Sequence, residues 1–166
     1  RPAYAGLTSM AKQLVSPPKK ATANNVEELL SLLFCGEGVQ KPLVLMIGGG
    51  TIGQGMDRFY TDPEIRLIAF DIYGSSNVQF VADAHKIPLA NESIDAVIIQ
   101  AVLEHVLEPK QVVSEIYRVL KQDGIVYAET PFLQHVHEGA YDFTRYTESG
   151  HRYLFKDFEL ISSGAS

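Results

Sequence analysis

Five consecutive apolar residues, 43–47, run directly into three glycines, 48–50. An unbroken apolar run of this length is typical of a strand that is buried on both faces of a parallel sheet. Glycines directly after such a strand allow the backbone to turn sharply, with no side chain in the way of a ligand. The chain is therefore expected to adopt an α/β fold with a binding site beyond the end of this strand.

Strands and helices are predicted to alternate along the rest of the chain. Further strands are predicted at residues 66–71, 78–81, 94–100, 125–129 and 158–161. Helices are predicted from Asn25, as N-cap, to Gly36, and over residues 56–60, 109–122 and 148–155. This alternation indicates a Rossmann-like, doubly wound, mostly parallel sheet with helices on both faces. We expect residues 1–23 to form an N-terminal tail and residues 24–166 to form one domain.

Charge and composition narrow the classes of partner. The net charge is −6, and the chain has no basic run beyond Lys19 and Lys20. Nucleic acid is not expected as a partner, because phosphate binding needs clustered positive charge. A single cysteine, Cys35, suggests a reducing compartment. No segment has the length of a membrane span or the pattern of a signal peptide, so we expect a cytoplasmic protein that does not enter a membrane.

The residues that follow each predicted strand are the first candidates for a ligand site. Ligands of open parallel sheets bind beyond the carboxyl ends of the strands. The spacing of Gly48, Gly50 and Gly53, with Asp71 after the second strand, satisfies the dinucleotide-binding fingerprint. An NAD(P)-dependent oxidoreductase or epimerase is therefore one alternative. It would need a catalytic Tyr-x-x-x-Lys pair or a similar one.

Four segments point to a different cofactor through their order along the chain. They are VLMIGGGT (44–51), VADAHKIPL (81–89), SIDAV with LEHV (93–106) and IYRVLKQDG (116–124). Together they resemble the class I S-adenosylmethionine-dependent methyltransferases of the type 11 group, which act on small molecules. The resemblance implies S-adenosyl-L-methionine as the cofactor. It also implies methyl transfer by in-line displacement to a small-molecule or sugar acceptor.

The resemblance assigns cofactor contacts to particular residues of this sequence. The glycine turn would pass the methionine part of the cofactor, and Asp71 would hold the ribose hydroxyls. Asp83 would bond the adenine amino group, and Gln100 would lie near the methionine moiety. The full expected set is Gly48, Gly49, Gly50, Asp71, Ile72 packing on adenine, Asp83, Ala84 through its backbone N–H, and Gln100.

The acceptor side is expected after the fifth predicted strand. Its polar candidates are Gln134, His135, His137, Glu138, Tyr141, Asp142 and Arg145. This segment resembles a Pro-Phe…His…Asp-Phe…Arg-Tyr-Thr pattern of type 11 enzymes linked to sugar or cell-surface glycan modification. A hydroxyl or protonated amine acceptor can need a general base, and His137 is our first candidate, with His135 second.

A metal site in the same segment is the other interpretation of its histidines. His-x-His is a usable ligand spacing, so His135, His137, Glu138 and Asp142 could hold an ion. No further clear ligand is evident in the sequence. We therefore expect no metal.

Two departures from the family pattern leave a third alternative open. Ile52 replaces a glycine that is common in the first motif, and its side chain could narrow the pocket near the methionine end of the cofactor. The last, antiparallel strand of the family has no counterpart in the sequence. Both features are compatible with a non-catalytic, cofactor-binding fragment of a larger glycan-modifying protein. The edge left at the sixth predicted strand could pair with a second copy to form a homo-oligomer.

Overall fold

A computed structural model describes residues 20–35, 41–137 and 139–164. The elements are α1 (Lys20–Leu33), β1 (Leu43–Ile47), α2 (Asp57–Thr61), β2 (Arg66–Asp71), β3 (Phe80–Val81), β4 (Ile94–Gln100), α3 (Pro109–Val119), β5 (Leu120–Glu129) and α4 (Glu148–Leu154). Single-turn 3-10 helices cover Leu103–His105 and Gly139–Tyr141. Within these ranges, no helix combines the length and the apolar character that a membrane crossing requires.

The five strands form one sheet in the order β3-β2-β1-β4-β5, and all neighbouring strands are parallel. The chain runs outward from β1 to β3 on one side and then crosses back to add β4 and β5 on the other. The prediction of a doubly wound parallel sheet is thereby confirmed, with the change of direction between β1 and β4. The predicted bounds of β1, β2 and β4 are confirmed as well.

Both faces of the sheet are covered, which explains why β1 is apolar throughout. Leu45 and Ile47 face a core that includes Val112, Ile116 and Val119 of α3. The alternate residues of β1 face a second core, built with α1 and α2. Its main members are Val26, Leu29, Leu30, Leu33, Val44, Met46, Phe59 and Ile98. The period-two alternation of a strand thus places every side chain of β1 against apolar neighbours.

Helix α1 begins earlier than the sequence predicts. It starts at Lys20, so Asn25 lies inside the helix and is not its N-cap, and the helix ends at Leu33. The buried Thr22 explains the difference, because its hydroxyl bonds to both carboxylate oxygens of Glu129 at 3.2 Å. This contact joins residues far apart in sequence and has no local signal. Residues 1–19 and Gly36 lie outside the described residues.

The junction between α3 and β5 also differs from the prediction. Helix α3 ends at Val119, where Leu120 already has an extended backbone, and β5 begins there instead of at Ile125. Gly124 therefore lies within the strand and does not end the helix. The pairing of β4 with β5 shifts register between Ile94 and Ala96, so the residues around Asp123 (φ 62°) bulge out of the ladder.

The predicted sixth strand, residues 158–161, is not a strand. Phe158 packs instead against Phe155 and Tyr117, with ring centroids 5.7 and 5.3 Å apart. Leu160 and Ile161 are 49% and 58% exposed. Among the described residues β5 is therefore the edge strand on this side. The predicted pairing of a second copy was assigned to the edge of the sixth strand, which these residues do not form.

The third strand is shorter than predicted, with two residues instead of four. Gln79 uses its side chain as well as its backbone against β2: its Oε1 accepts from Ala69 N at 2.6 Å, and its N donates to Ala69 O at 2.9 Å. A side chain thus replaces part of the backbone ladder. Because this side chain supplies a bond to β2, the parallel pairing of β2 and β3 needs only two residues of backbone ladder.

The turn after β1 requires a glycine at its first position. Gly48 has φ +79°, and its N–H and that of Gly49 both donate to Phe70 O at 3.0 Å. A Cβ atom on Gly48 would lie 2.2 Å from Cγ2 of Val102. Backbone conformation and close packing therefore exclude any side chain here.

The segment that follows Ala84 is held against α3 by one arginine. Arg118 donates to the carbonyl oxygens of Ile87 and Leu89 at 2.8 and 2.9 Å, and its guanidinium also bonds to Glu115. Glu115 in turn accepts from Ile87 N at 2.8 Å. The hydrogen bond from Arg118 is the main reason that the pKa of Glu115 is lowered.

Replacing Gly48 with alanine should destabilise the fold more than replacing Gly139 with alanine. Both glycines have positive φ, but nothing lies within 4 Å of a Cβ on Gly139. The left-handed backbone alone should cost about 1–2 kcal/mol in each variant. The clash with Val102 should add about 1–3 kcal/mol to the first. Urea unfolding measures both losses, and equal losses would mean that Val102 moves aside freely.

Glu115→Gln should lower the free energy of unfolding by about 1–2 kcal/mol at pH 7, since a charge-assisted hydrogen bond is weakened. The pKa of Glu115 is lowered in the folded state from its ordinary 4.5. Its contribution is therefore complete above pH 4.5 and is lost as the pH falls through the folded pKa. The difference between wild type and variant should shrink at acid pH in denaturation curves.

Glu64→Gln is the matched control for this prediction. Glu64 pairs with Lys41 at 3.4 Å, but its side chain is 64% exposed. An exposed pair contributes little. A control that loses as much stability as Glu115→Gln, or a difference that does not change with pH, would contradict the assignment.

Candidate functional site

Asp71 closes the glycine turn from the neighbouring strand. Its Oδ2 accepts from Gly50 N at 2.9 Å, and its Oδ1 accepts from Tyr73 N at 3.2 Å. A carboxylate has about four acceptor positions, so two remain for a ligand. A Cβ on Gly50 would lie 2.7 Å from Asp71 Oδ2, which is why this approach needs a glycine. The carboxylate and the turn thus form one cradle between β1 and β2.

Three of the predicted cofactor residues lie beside this cradle with different exposure. Ile72 is 60% exposed, while Ala84 is buried. Asp83 uses Oδ1 for the backbone N–H of His85 at 2.9 Å and for its ring Nδ1 at 2.5 Å. The bond from the His85 backbone is the main reason that the pKa of Asp83 is lowered. Asp83 therefore presents an ionised carboxylate toward solvent.

Gln100, the last residue of β4, carries an acceptor atom without a partner. Its Nε2 donates to Glu129 Oε2 at 2.9 Å and to Gln54 O at 3.3 Å. Its Oε1 is buried, and no described residue bonds to it. A Cβ on Gly53 would lie 1.9 Å from this oxygen. The oxygen therefore packs directly against Gly53, where any side chain would stand, and it remains an acceptor without a partner among the described residues.

Glu129 fixes the amide of Gln100, and the sequence analysis missed it. Besides Gln100 and Thr22, its carboxylate accepts from the Tyr127 hydroxyl at 2.8 Å. The pKa of Tyr127 is raised, mainly by burial and also by this bond. A carboxylate at the end of β5, next to β4 in the sheet, was the signal that could have identified it.

The segment after β5 folds back over the exit of β4. Phe143 N and Thr144 N donate to the backbone oxygen of Glu104 at 2.8 and 3.3 Å. The ring Nδ1 of His105 lies 2.6 Å from Tyr141 O. Because β4 and β5 are neighbours, the two exits meet, and the LEHV motif contacts the predicted acceptor segment.

His137 is part of this contact, whereas His135 is not. The backbone N–H of His137 donates to Asp142 Oδ2 at 2.8 Å, and its ring lies 4.7 Å from that of His105. The side chain of His135 is exposed, and only its backbone oxygen accepts bonds. Gln134 and Tyr141 are also exposed. Glu138 lies outside the described residues.

Asp142 and Arg145 form a two-bond ion pair that supports this segment. Both carboxylate oxygens of Asp142 accept from the guanidinium, and the Asp142 side chain is only 1% exposed. Arg145 is the main reason that the pKa of Asp142 lies far below its ordinary value. With its oxygens used in this way, Asp142 is a structural anchor.

Of the metal-ligand set considered from the sequence, Glu138 lies outside the described residues, and His135, His137 and Asp142 do not form a cluster by themselves. Among the described residues, the cluster with suitable spacing contains Glu104, His105 and His137. Glu104 is fully buried, neither of its carboxylate oxygens has a hydrogen-bond partner in the described part of the chain, and burial raises its pKa. Sequence reasoning missed it because LEHV was treated as a family motif without a role for its glutamate.

Two further features bear on the alternatives of an NAD(P)-dependent enzyme and a non-catalytic cofactor-binding fragment. Tyr117 and Lys121 have the Tyr-x-x-x-Lys spacing, but Lys121 pairs with Asp95 at 2.7 Å, at the amino end of β4. This position is opposite to the glycine turn, so the pair cannot serve a ligand there. Ile52 is 37% exposed. Its side chain therefore does not fill the turn completely.

Comparisons with known proteins agree with this geometry. Residues 58–128 match the sequence model of a type 11 family described as a methyltransferase domain. No curated protein matches the sequence. The three solved structures described next are 17–20% identical to this chain, which shows the fold alone.

Three of these structures cover most of the chain. The PH0226 protein of Pyrococcus horikoshii has a TM-score of 0.60 at 20% identity, over 87% of this chain and 83% of that one. A chain from the complex between the Haloferax volcanii Trm112 methyltransferase activator and a methyltransferase has 0.58 at 20%, over 84% and 73%. An S-adenosylmethionine-dependent methyltransferase of Thermotoga maritima has 0.53 at 17%, over 83% and 77%.

The sheet order, the glycine turn with its carboxylate, and the family match have a common explanation. This chain has the Rossmann-like fold that these structures share, and its residues 58–128 resemble the methyltransferase domain of the type 11 family.

Proposed function

We propose that this domain transfers a methyl group from S-adenosylmethionine to a small-molecule or sugar acceptor. The observation that supports the proposal is that two candidate half-sites both lie beyond the carboxyl ends of the parallel strands. The glycine turn, Asp71 and the free acceptor of Gln100 form one half-site. The His137 segment over the exit of β4 forms the other.

In the cofactor half-site, the ribose, the adenine and the methionine part of the ligand contact residues at the ends of different strands. Asp71 has acceptor capacity left for the two ribose hydroxyls, and the exposed Ile72 beside it can pack on adenine. Asp83, with its free oxygen, accepts from the adenine amino group, and Ala84 offers its backbone N–H. Gly48, Gly49 and Gly50 admit the methionine part, and Gln100 Oε1 accepts from its amino group.

Bound S-adenosylmethionine supplies a methyl group on a sulfonium that is already activated. The main task of the chain is therefore to align the acceptor with that group. When the acceptor is a hydroxyl, its oxygen forms the new bond to carbon as the carbon–sulfur bond breaks, and its proton must leave. His137 is placed to take that proton, because its Nδ1 faces the His135 carbonyl and Asp142, which leaves Nε2 free.

Asp71→Ala should weaken binding of S-adenosylmethionine and S-adenosylhomocysteine by about 30- to 100-fold, because two charge-assisted hydrogen bonds are lost. Isothermal titration of both ligands, with NAD as a comparison, measures the change. Asp157→Ala, an exposed aspartate after α4, is the matched control and should bind like wild type. Absence of adenosyl binding in the wild type, or tighter binding of NAD, would contradict the proposal.

His137→Ala should lower the methyl-transfer rate by about 10²- to 10⁴-fold once an acceptor is found in a panel of sugars and hydroxylated small molecules. Cofactor affinity should not change, because His137 belongs to the other half-site. His135→Ala should lose far less activity, since its side chain is exposed. Equal losses in both variants would reject His137 as the base.

A further inference from the structure

Glu104 carries a buried carboxyl group without a hydrogen-bond partner among the described residues. Its side chain is 0% exposed, and neither Oε1 nor Oε2 has a hydrogen-bond partner in the described ranges. The bonds from Phe143 and Thr144 reach its backbone oxygen and leave the carboxylate unsatisfied. Buried charges in proteins are paired or coordinate metals. Charged or protonated, the carboxyl group has no hydrogen-bond partner among the described residues, and a bound cation would supply one.

Two histidines face this carboxylate. Nε2 of His105 lies 3.6 Å from Oε1 of Glu104. One ring nitrogen of His137 joins them, so that three ligand atoms lie within 4.8 Å of one another. The two histidine rings meet edge to face at 4.7 Å. The cluster thus joins the exit of β4 to the segment after β5.

The hydrogen bonds of both rings leave one nitrogen free on each. Nδ1 of His105 lies 2.6 Å from Tyr141 O, and a carbonyl can only accept, so Nδ1 carries the proton. Nε2, 3.6 Å from Oε1 of Glu104, is then the ring nitrogen that remains for an ion. Nδ1 of His137 likewise faces two acceptors, His135 O at 3.3 Å and Asp142 Oδ2 at 3.5 Å. Metal-binding histidines donate their other N–H to a carbonyl or carboxylate in the same manner.

We propose that Glu104, His105 and His137 bind one divalent transition-metal ion, with Zn²⁺ as the best match to two imidazoles and a carboxylate. Three protein ligands with an open fourth position are the pattern of catalytic zinc sites. Bonds of about 2.1 Å require ligand atoms about 3.4 Å apart, so the cluster must contract slightly around the ion. His137 lies on an irregular segment that can make this adjustment.

The surrounding charges permit a cation at this point. The nearest fixed positive charge is Arg145, which donates to both oxygens of Asp142 and is neutralised by it. A histidine binds a metal ion through an unprotonated ring nitrogen, so His105 and His137 would meet the ion as neutral rings. The ion would therefore meet one carboxylate and no unpaired positive side chain among the described residues.

The consequence for catalysis rests on the proposed function, whereas metal binding does not. An ion with an open position here would polarise an acceptor hydroxyl and favour loss of its proton. A ring nitrogen that holds a cation cannot also take a proton. In the metal-loaded protein, His137 would therefore be a ligand and not the base. The ion would lower the pKa of the acceptor hydroxyl, and solvent water would take the proton as the oxygen forms its bond to the methyl carbon.

The test uses the full chain, stripped with a chelator and titrated with ZnCl₂ in the absence of cofactor and acceptor. We expect one Zn²⁺ per chain, with binding at least 100-fold weaker in Glu104→Gln and in His137→Ala. His135→Ala is the matched control, since it removes a histidine from the same segment that lies outside the cluster. Absence of stoichiometric binding, or equal affinity in Glu104→Gln and wild type, would overturn the proposal.

Thermal melting provides a second readout that does not depend on measuring affinity. Without metal, Glu104→Gln should melt at or above the wild-type temperature, because an uncompensated buried charge has been removed. Added Zn²⁺ should raise the melting temperature of wild type and His135→Ala but not that of Glu104→Gln. If Zn²⁺ raised the melting temperature of Glu104→Gln as much as that of wild type, the site would be rejected. If the wild-type protein binds Zn²⁺ but does not bind S-adenosylmethionine, only the proposed function is rejected and the metal site stands.

Discussion

Strand β1 bonds to β2 on one side and to β4 on the other, and its side chains are buried on both faces. This double constraint fixes where the strand ends and therefore where the chain must turn. The turn uses a positive φ at Gly48, and Asp71 of β2 reaches across to bond Gly50 N. The position of the cofactor half-site is thus a consequence of the packing of the central strand.

The strands that could be predicted from the sequence are those with both faces covered. The bounds of β1, β2 and β4 agree with the prediction because a continuous apolar run records burial directly. The residues 158–161 have a similar apolar character, yet Phe158 satisfies it by packing on Tyr117. Apolar composition therefore does not specify a strand: in this segment Phe158 packs in an aromatic cluster, while Leu160 and Ile161 are largely exposed.

Long-range contacts account for most of what the sequence could not show. The start of α1 depends on the bond between Thr22 and Glu129, which are 107 positions apart. The burial of Glu104 depends on a segment that arrives after another strand and returns to cover it. The glycines and Asp71 could be found because their spacing along the chain is local. The partners of His137 could be inferred only from the order of strands in the sheet.

The two half-sites also differ in how they are supported. Every cofactor candidate sits at the end of a strand or in a turn bonded to one, so its position follows from the sheet. The acceptor candidates lie on an irregular segment, and the Asp142–Arg145 pair and the backbone of Glu104 hold it in place. Acceptor specificity can therefore vary with that segment while the cofactor cradle stays the same.

The bonds among Thr22, Glu129 and Gln100 join the first helix to the cofactor half-site through one carboxylate. Such a connection is reciprocal in thermodynamic terms. If a ligand at Gln100 tightens the hold of Glu129, it must also strengthen the docking of α1. A change that loosens the docking of α1 must then weaken the binding of that ligand by the same free energy. The outer helix is thus positioned to report cofactor occupancy to the far face of the sheet.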